Sequence, residues 1–221
     1  MFRLAIGLLG VLWSAWCCAQ DIPTVVQWTA LFQEVRQHPL FRELAFSYAK
    51  APAANVAYSP VGVMPRQGLD CVVVISEGDN PKMERIMRLA GTPEAAHDFL
   101  LAIAAHELGH CFRIRSGHLS IALWTRVAAT TPGSAERRVM EKQVSIEEAY
   151  ADAYALAYIR DAHPLRYAEV FEAMYSLRHE PAFATPFYQV EPLYQQLSSA
   201  GLDVGLSLHN QVEAVMRQSK F

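Results

Sequence analysis

The chain has 221 residues, 52% of them hydrophobic, with 22 acidic against 19 basic side chains and a formal net charge of −3. That is enough apolar sequence for one domain with a real core, and it excludes a disordered or fibrous chain. The scattered Lys and Arg residues supply neither the basic stripe that nucleic acid requires nor a polybasic membrane patch, and no internal repeat is present.

At the N-terminus Arg3 precedes an apolar run over residues 4–16, followed by Cys17-Cys18-Ala19-Gln20. Small residues at Cys17 and Ala19 give the spacing a signal peptidase needs, so residues 1–19 read as a secretory signal peptide. A retained anchor is the alternative, but the run is short of the ~20 residues of a spanning helix. The expectation is therefore an exported protein, periplasmic or secreted, with one domain over residues 20–221 and no membrane span once the signal is removed. Export leaves Cys71 and Cys111 in an oxidising compartment, where they form a disulfide or stay as two separately buried thiols.

Residues 24–50 carry apolar side chains at helical spacing (Val25, Trp28, Leu31, Phe32, Val35, then Phe41, Leu44, Phe46), broken at His38-Pro39. This predicts two helices or one bent helix. Residues 51–68 are rich in Pro and Gly, lack a period and read as loop. The β-branched run at 69–75, bounded by Gly68 and by Gly78 to Pro81, reads as a buried strand. Residues 83–90 form a short helix closed by Gly91. Thr92-Pro93-Glu94 is a helix start: a capping residue, Pro in the first turn, then an acid. That helix runs through Phe99, Leu100, Ile103 and Leu108 and reaches Phe112. Periodicity weakens over 113–133, a connection long enough to serve as a lid. Helices resume at 134–160, Ala-rich between 149 and 157, then at 165–178 and 204–218, with an aromatic-anchored loop at 181–188. The sum is an α+β class: a mainly helical single domain with a small sheet.

The 92–112 helix contains His106-Glu-Leu-Gly-His110. Residues four apart project from one helical face, so His106 and His110 can hold one ion while Glu107 points beside them. Zinc takes imidazole nitrogen and carboxylate oxygen, with three protein ligands and one water in catalytic sites. By chance such a motif arises on the order of once in a hundred chains of this composition, so a second element is needed. It stands on the next long helix, where Glu148 and Asp152 are again four apart. Glu148 suits the third ligand, and Asp152 suits the carboxylate that accepts from the remote N–H of a ligating imidazole. The competing reading makes Ser145 to Glu148 a capping box at a helix start.

HELGH followed by Glu148-Ala-Tyr-Ala-Asp152 resembles the gluzincin metallopeptidases, which include the thermolysin-like and CAAX-prenyl-protease types, over about residues 99–156. The resemblance implies a zincin-like fold, Zn2+ held by His106, His110 and Glu148, Glu107 as general base toward a zinc-bound water, and Asp152 orienting a histidine. It also implies that the 69–76 strand lies beside the HExxH helix and pairs with an extended peptide or protein substrate, as an exposed strand edge can. The chain departs from the prenyl-protease type in having no transmembrane helices after the signal. It shows no clear counterpart of the thermolysin-like C-terminal domain that steadies the oxyanion. Tyr188 and His209 are the C-terminal residues to test for that role. His97 and His118 read as surface, Tyr150 and Tyr154 as packing. The expected function is an exported zinc-dependent peptidase; the alternative is a non-catalytic scaffold that keeps a peptidase-like groove for a partner, for which an intact Glu107 would have no use.

Overall fold

The first helix, α1 (Val25–Arg36), starts where Thr24 and Gln27 cap each other: Thr24 Oγ1 accepts from the Gln27 amide at 3.3 Å, and Gln27 Oε1 from the Thr24 amide at 2.8 Å. It buries Trp28, Leu31, Phe32 and Val35 along one stripe. The computed structural model describes residues 22–52, 60–77, 80–120, 122–181, 183 and 188–221. The signal-peptide reading of 1–19 and much of the 181–188 loop lie outside them.

No second helix follows α1. After turns that drop Phe41 and Leu44 into the core, the chain enters strand β1 (Phe46–Pro52), so the helical spacing of 41–46 was a coincidence of turn residues. Strand pairing overrode it: Phe46 stands opposite Cys71 and Tyr48 opposite Val73 in a parallel ladder, while their rings pack 6.4 and 6.1 Å from Phe32 of α1.

The expected loop also contains a strand, β2 (Val61–Arg66), turned back by Gln67-Gly68 with Gly68 at φ +81° onto β3 (Leu69–Glu77). Gly62 and Pro65 hid it. Its register slips between Met64 and Arg66, the place where Pro65 lacks an N–H for the ladder. The sheet order is β1-β3-β2, with β1 parallel and β2 antiparallel to β3. β3 is therefore the central strand, hydrogen-bonded on both sides, and not the exposed edge anticipated for it; β1 and β2 are the edges.

After α2 (Pro81–Leu89), capped by Asn80, Gly91 turns the chain at φ +78° and Thr92 caps α3 (Pro93–Arg115) by accepting from the Ala95 amide at 3.2 Å. Almost every α3 residue from Ala95 to Cys111 is buried, with the sheet, α1, α5 and α6 packed around it. Cys71, Val73 and Ile75 present the inner face of β3 to this core. Cys71 and Cys111 form a disulfide with a Cα separation of 5.4 Å, joining the central strand to the residue after His110.

Beyond a turn at Gly117, α4 (Ala122–Ala129) occupies the stretch where periodicity was weak. It packs Val127 on Met140 and Val144 of α5 (Ala135–Ala162) as a small separate cluster. Arg137 Nη1 ties its end by donating to the Val127 and Thr130 carbonyls at 2.7 and 3.0 Å. These ties run to the first half of α5. A 3-10 turn (Pro164–Arg166) leads to α6 (Tyr167–His179), α7 (Glu191–Ala200) and α8 (Leu208–Gln218). Helix α7 was not anticipated: its buried Leu193, Tyr194 and Leu197 span too few turns to show a period. The architecture among the described residues is eight helices around one three-stranded sheet, the mainly helical α+β class expected. No described helix is long and apolar enough to cross a membrane.

The disulfide closes a sequence separation of 40 residues, and chain-entropy reasoning assigns such a loop about 4 kcal/mol. A Cys71→Ala, Cys111→Ala variant should lose roughly 2–4 kcal/mol of unfolding free energy in urea titration. A midpoint equal to that of the oxidised wild type would contradict this.

Candidate metal centre

α3 carries His106, Glu107 and His110 in its buried middle, and α5 carries Glu147, Glu148 and Asp152. The imidazoles of His106 and His110, one turn apart, meet edge to face with centroids 4.7 Å apart and planes at 87°. The helices come close because the crossing residue of α3 is Gly109. A Cβ there would stand 3.0 Å from Tyr154 Cβ and 3.4 Å from Ala151 Cα. At that separation the Glu148 carboxylate reaches both imidazoles, with Oε2 3.4 Å from His106 Nε2 and Oε1 3.7 Å from His110 Nε2.

The ligand atoms of His106, His110 and Glu148 lie within 4.8 Å of one another, all on buried residues, so this group can hold a metal ion. The spacing fits the chemistry. Ligand atoms ~2.0–2.1 Å from a tetrahedral ion stand about 3.3 Å apart, whereas charge-assisted hydrogen bonds close to about 2.8 Å. The observed 3.4 and 3.7 Å are nearer the first. The capping-box reading of Glu148 is excluded: α5 starts at Ala135, where Ser134 Oγ accepts from the Arg137 amide, while Ser145 lies inside the helix and donates to the Glu141 carbonyl.

Asp152, with no exposed surface, receives His106 Nδ1 on Oδ1 at 2.8 Å. That fixes the His106 ring with Nε2 toward Glu148. Two further partners were not anticipated. Arg178, in the last turn of α6, donates from Nε to Asp152 Oδ2 at 2.8 Å and from Nη2 to Oδ1. Tyr194 of α7 donates its hydroxyl to Oδ2 at 3.1 Å. In the sequence Arg178 was only a basic residue at a helix end, where a cation suits the dipole, and Tyr194 lay on an unrecognised helix; no sequence pattern links either to Asp152. A second tie between α3 and α5 stands beside the centre: Arg113 grips Glu147 with Nε to Oε2 at 2.5 Å and Nη2 to Oε1 at 2.7 Å, its guanidinium 3.6 Å from the Tyr150 ring centre.

Burial dominates the electrostatics. It pushes Glu107 up to about 7, helped by the Glu148 charge and opposed by His106. It pulls His110 down to about 3, only partly offset by Glu148. Burial would also lower His106, but its hydrogen bonds to Asp152 and Glu148 outweigh that and push it up to about 9. Burial opposes ionisation of Asp152 as well, yet the Arg178 charge and the His106 hydrogen bond hold its carboxyl well below the usual range. The Glu148 carboxyl, desolvated too, is kept low by His106 and His110.

Of the two C-terminal candidates, Tyr188 packs on Arg178 beside the centre and His209 does not. The Tyr188 ring lies 4.5 Å from the Arg178 guanidinium. Burial raises its hydroxyl well above the ordinary value, and the charges of Glu148 and Glu107 add to this. His209 instead pairs with the Tyr154 hydroxyl at 2.8 Å and packs on Phe112, the side of α3 that faces α8. Tyr150 and Tyr154 serve packing as expected, and His97 sits at the surface 3.6 Å from Glu34. No protein-family model, curated protein or solved structure matches this chain.

Gly109→Ala tests the crossing. Helix propensity favours Ala by about 1 kcal/mol, but overpacking against Tyr154 Cβ and the Ala151 backbone costs about 1–3 kcal/mol. The expected result is a net loss of stability by urea titration together with weaker metal binding, as α5 is pushed off α3. Unchanged binding would show that the Gly109 contact does not set the donor spacing.

Proposed function

We propose that this chain is an exported zinc-dependent metallopeptidase that hydrolyses peptide bonds in a peptide or protein substrate. The observation that carries the reading is the placement of a buried carboxylate, Glu107, beside a buried donor set of two imidazole nitrogens and one carboxylate. Holding an ion structurally, or docking a partner, needs no such group next to the donors.

The donor set favours zinc, which accepts imidazole and carboxylate together and leaves one position open when the protein supplies three ligands. His106 and His110 through Nε2, and Glu148 through its carboxylate, would hold it. When bound, the ion supplies Lewis acidity, polarising a carbonyl and lowering the pKa of water. The rest falls to this chain. Glu107 takes a proton from the attacking water as its oxygen bonds to the carbonyl carbon, and returns it to the amine nitrogen as the C–N bond breaks. Asp152 keeps the His106 ring turned with Nδ1 toward itself and Nε2 toward Glu148. The Tyr188 hydroxyl, protonated throughout the neutral range, is the donor we assign to the developing oxyanion. β1 and β2 are the sheet edges that can offer main-chain partners to an extended substrate. The Cys71–Cys111 disulfide supports export, since such bonds persist in oxidising compartments.

Metal analysis of purified protein should find about one zinc per chain, lost in Glu148→Gln and retained in Glu107→Gln. Glu107→Gln should cut hydrolysis of an unfolded protein substrate by roughly 10²–10⁴-fold. Chelation should lower the Tm of wild type, because the ion binds the folded state alone. Wild type that takes up no zinc would remove the reading, and Glu107→Gln with undiminished hydrolysis would remove the base.

A further inference from the structure

We propose that Arg178 is the positioning residue of the metal centre: its guanidinium fixes the plane of Asp152, and through Asp152 the orientation of the His106 ring. The inference rests on the metal-centre reading above and adds a third helix, α6, to a site whose donors stand on α3 and α5.

A carboxylate that meets only one imidazole can turn about its Cβ–Cγ bond, because that torsion is broad. Asp152 cannot. Arg178 engages Oδ2 with Nε and Oδ1 with Nη2, a planar two-pronged grip that sets the plane of the carboxylate as well as its place. The Tyr194 hydroxyl closes the remaining approach to Oδ2. Oδ1 is thereby aimed at His106 Nδ1 at 2.8 Å, which leaves Nε2 facing Glu148 and His110.

Arg178 is itself immobilised. Its side chain is 7% exposed, with the Tyr188 ring 4.5 Å away from the guanidinium. Nη2 also stands 3.3 Å from His106 Nδ1 and 3.9 Å from Glu148 Oε2. At the second distance it attracts the Glu148 carboxylate without a hydrogen bond that would compete with an ion. One guanidinium thus touches the orienting carboxylate and the first imidazole, and lies beside the third donor and the Tyr188 ring. A lysine would carry the charge but not the fork.

The test is a double-mutant cycle on zinc affinity, with competing chelator, across wild type, Arg178→Met, Asp152→Asn and the double variant. Arg178→Lys runs alongside, and urea titration of each metal-free chain reports folding separately. We expect Arg178→Met to weaken zinc binding by about 10–100-fold, the usual effect of losing a partner that orients a ligand. We expect Arg178→Lys to recover folding stability but not affinity, and Arg178→Met to cost less than about 3-fold once residue 152 is Asn, as coupled residues do. Nitrogen NMR of the zinc-loaded wild type should show a protected His106 Nδ1–H that exchanges with solvent in Arg178→Lys. If Arg178→Met fails to fold, the lysine and asparagine variants decide alone. Wild-type affinity in Arg178→Lys, or losses that multiply in the double variant, would overturn the proposal while leaving the metal centre intact. Wild type without zinc would overturn both.

Discussion

The near contact of α3 and α5 at Gly109 is the constraint on which the rest of the molecule depends. A Cβ at this position would stand 3.0 Å from Tyr154 Cβ and 3.4 Å from Ala151 Cα, so the helices meet at a separation that a larger side chain could share only if Tyr154 gave way by a few tenths of an ångström. Glu148 and Asp152 flank that contact on α5, and His106 and His110 flank it on α3. Their four polar groups then face one another within a buried seam, where an unpaired charge is expensive and a paired one is held firmly. The alanines of α5 between Ala149 and Ala157, all fully buried, extend the same close packing along the helix.

The polar groups in the seam form a layered arrangement. Innermost are the Nε2 atoms of two imidazoles and the Glu148 carboxylate. Behind them Asp152 takes the far side of His106, and behind Asp152 stand Arg178 and Tyr194 from helices that contribute no donor. Each layer removes a rotational freedom from the one in front. Arg113 and Glu147 work beside the centre, a buried bidentate pair that holds the register of α3 against α5 one turn from His110. Buried ion pairs contribute little net stability compared with apolar packing; their value here is that only one register of the two helices satisfies them. The disulfide does the covalent counterpart, tying Cys111 to the middle of the sheet.

Legibility in the sequence followed the range of the forces involved. α3 and α5 could be read almost end to end because Thr92, Pro93, Ser134 and the apolar spacing are local signals. β2 could not, because Gly62 and Pro65 disfavour a strand and only the β3 partner makes one. The segment from Phe41 to Phe46 misled in the opposite direction: its apolar residues fit a helical period, yet His38-Pro39 redirects the chain and the β1 ladder claims Phe46. Placing β3 at an edge failed for a related reason, since strand order depends on which strands meet and no single strand encodes it.

By itself the sequence determined the class of fold, the two long site helices, the pairing of Cys71 with Cys111 as an option, and five candidate side chains, His106, Glu107, His110, Glu148 and Asp152, of which the structure brings His106, His110 and Glu148 together with Asp152 behind His106. It could do so because each set is spaced four residues apart or adjacent, and helical geometry converts that spacing directly into a shared face. Only the tertiary structure decided that Glu148 stands opposite both imidazoles rather than capping a helix, and that Arg178 and Tyr194 complete the setting of Asp152. Those contacts join residues 26 and 42 positions apart, and at such separations no periodicity survives. What brings them together is the burial of α6 and α7 against the same core, a collective result of packing.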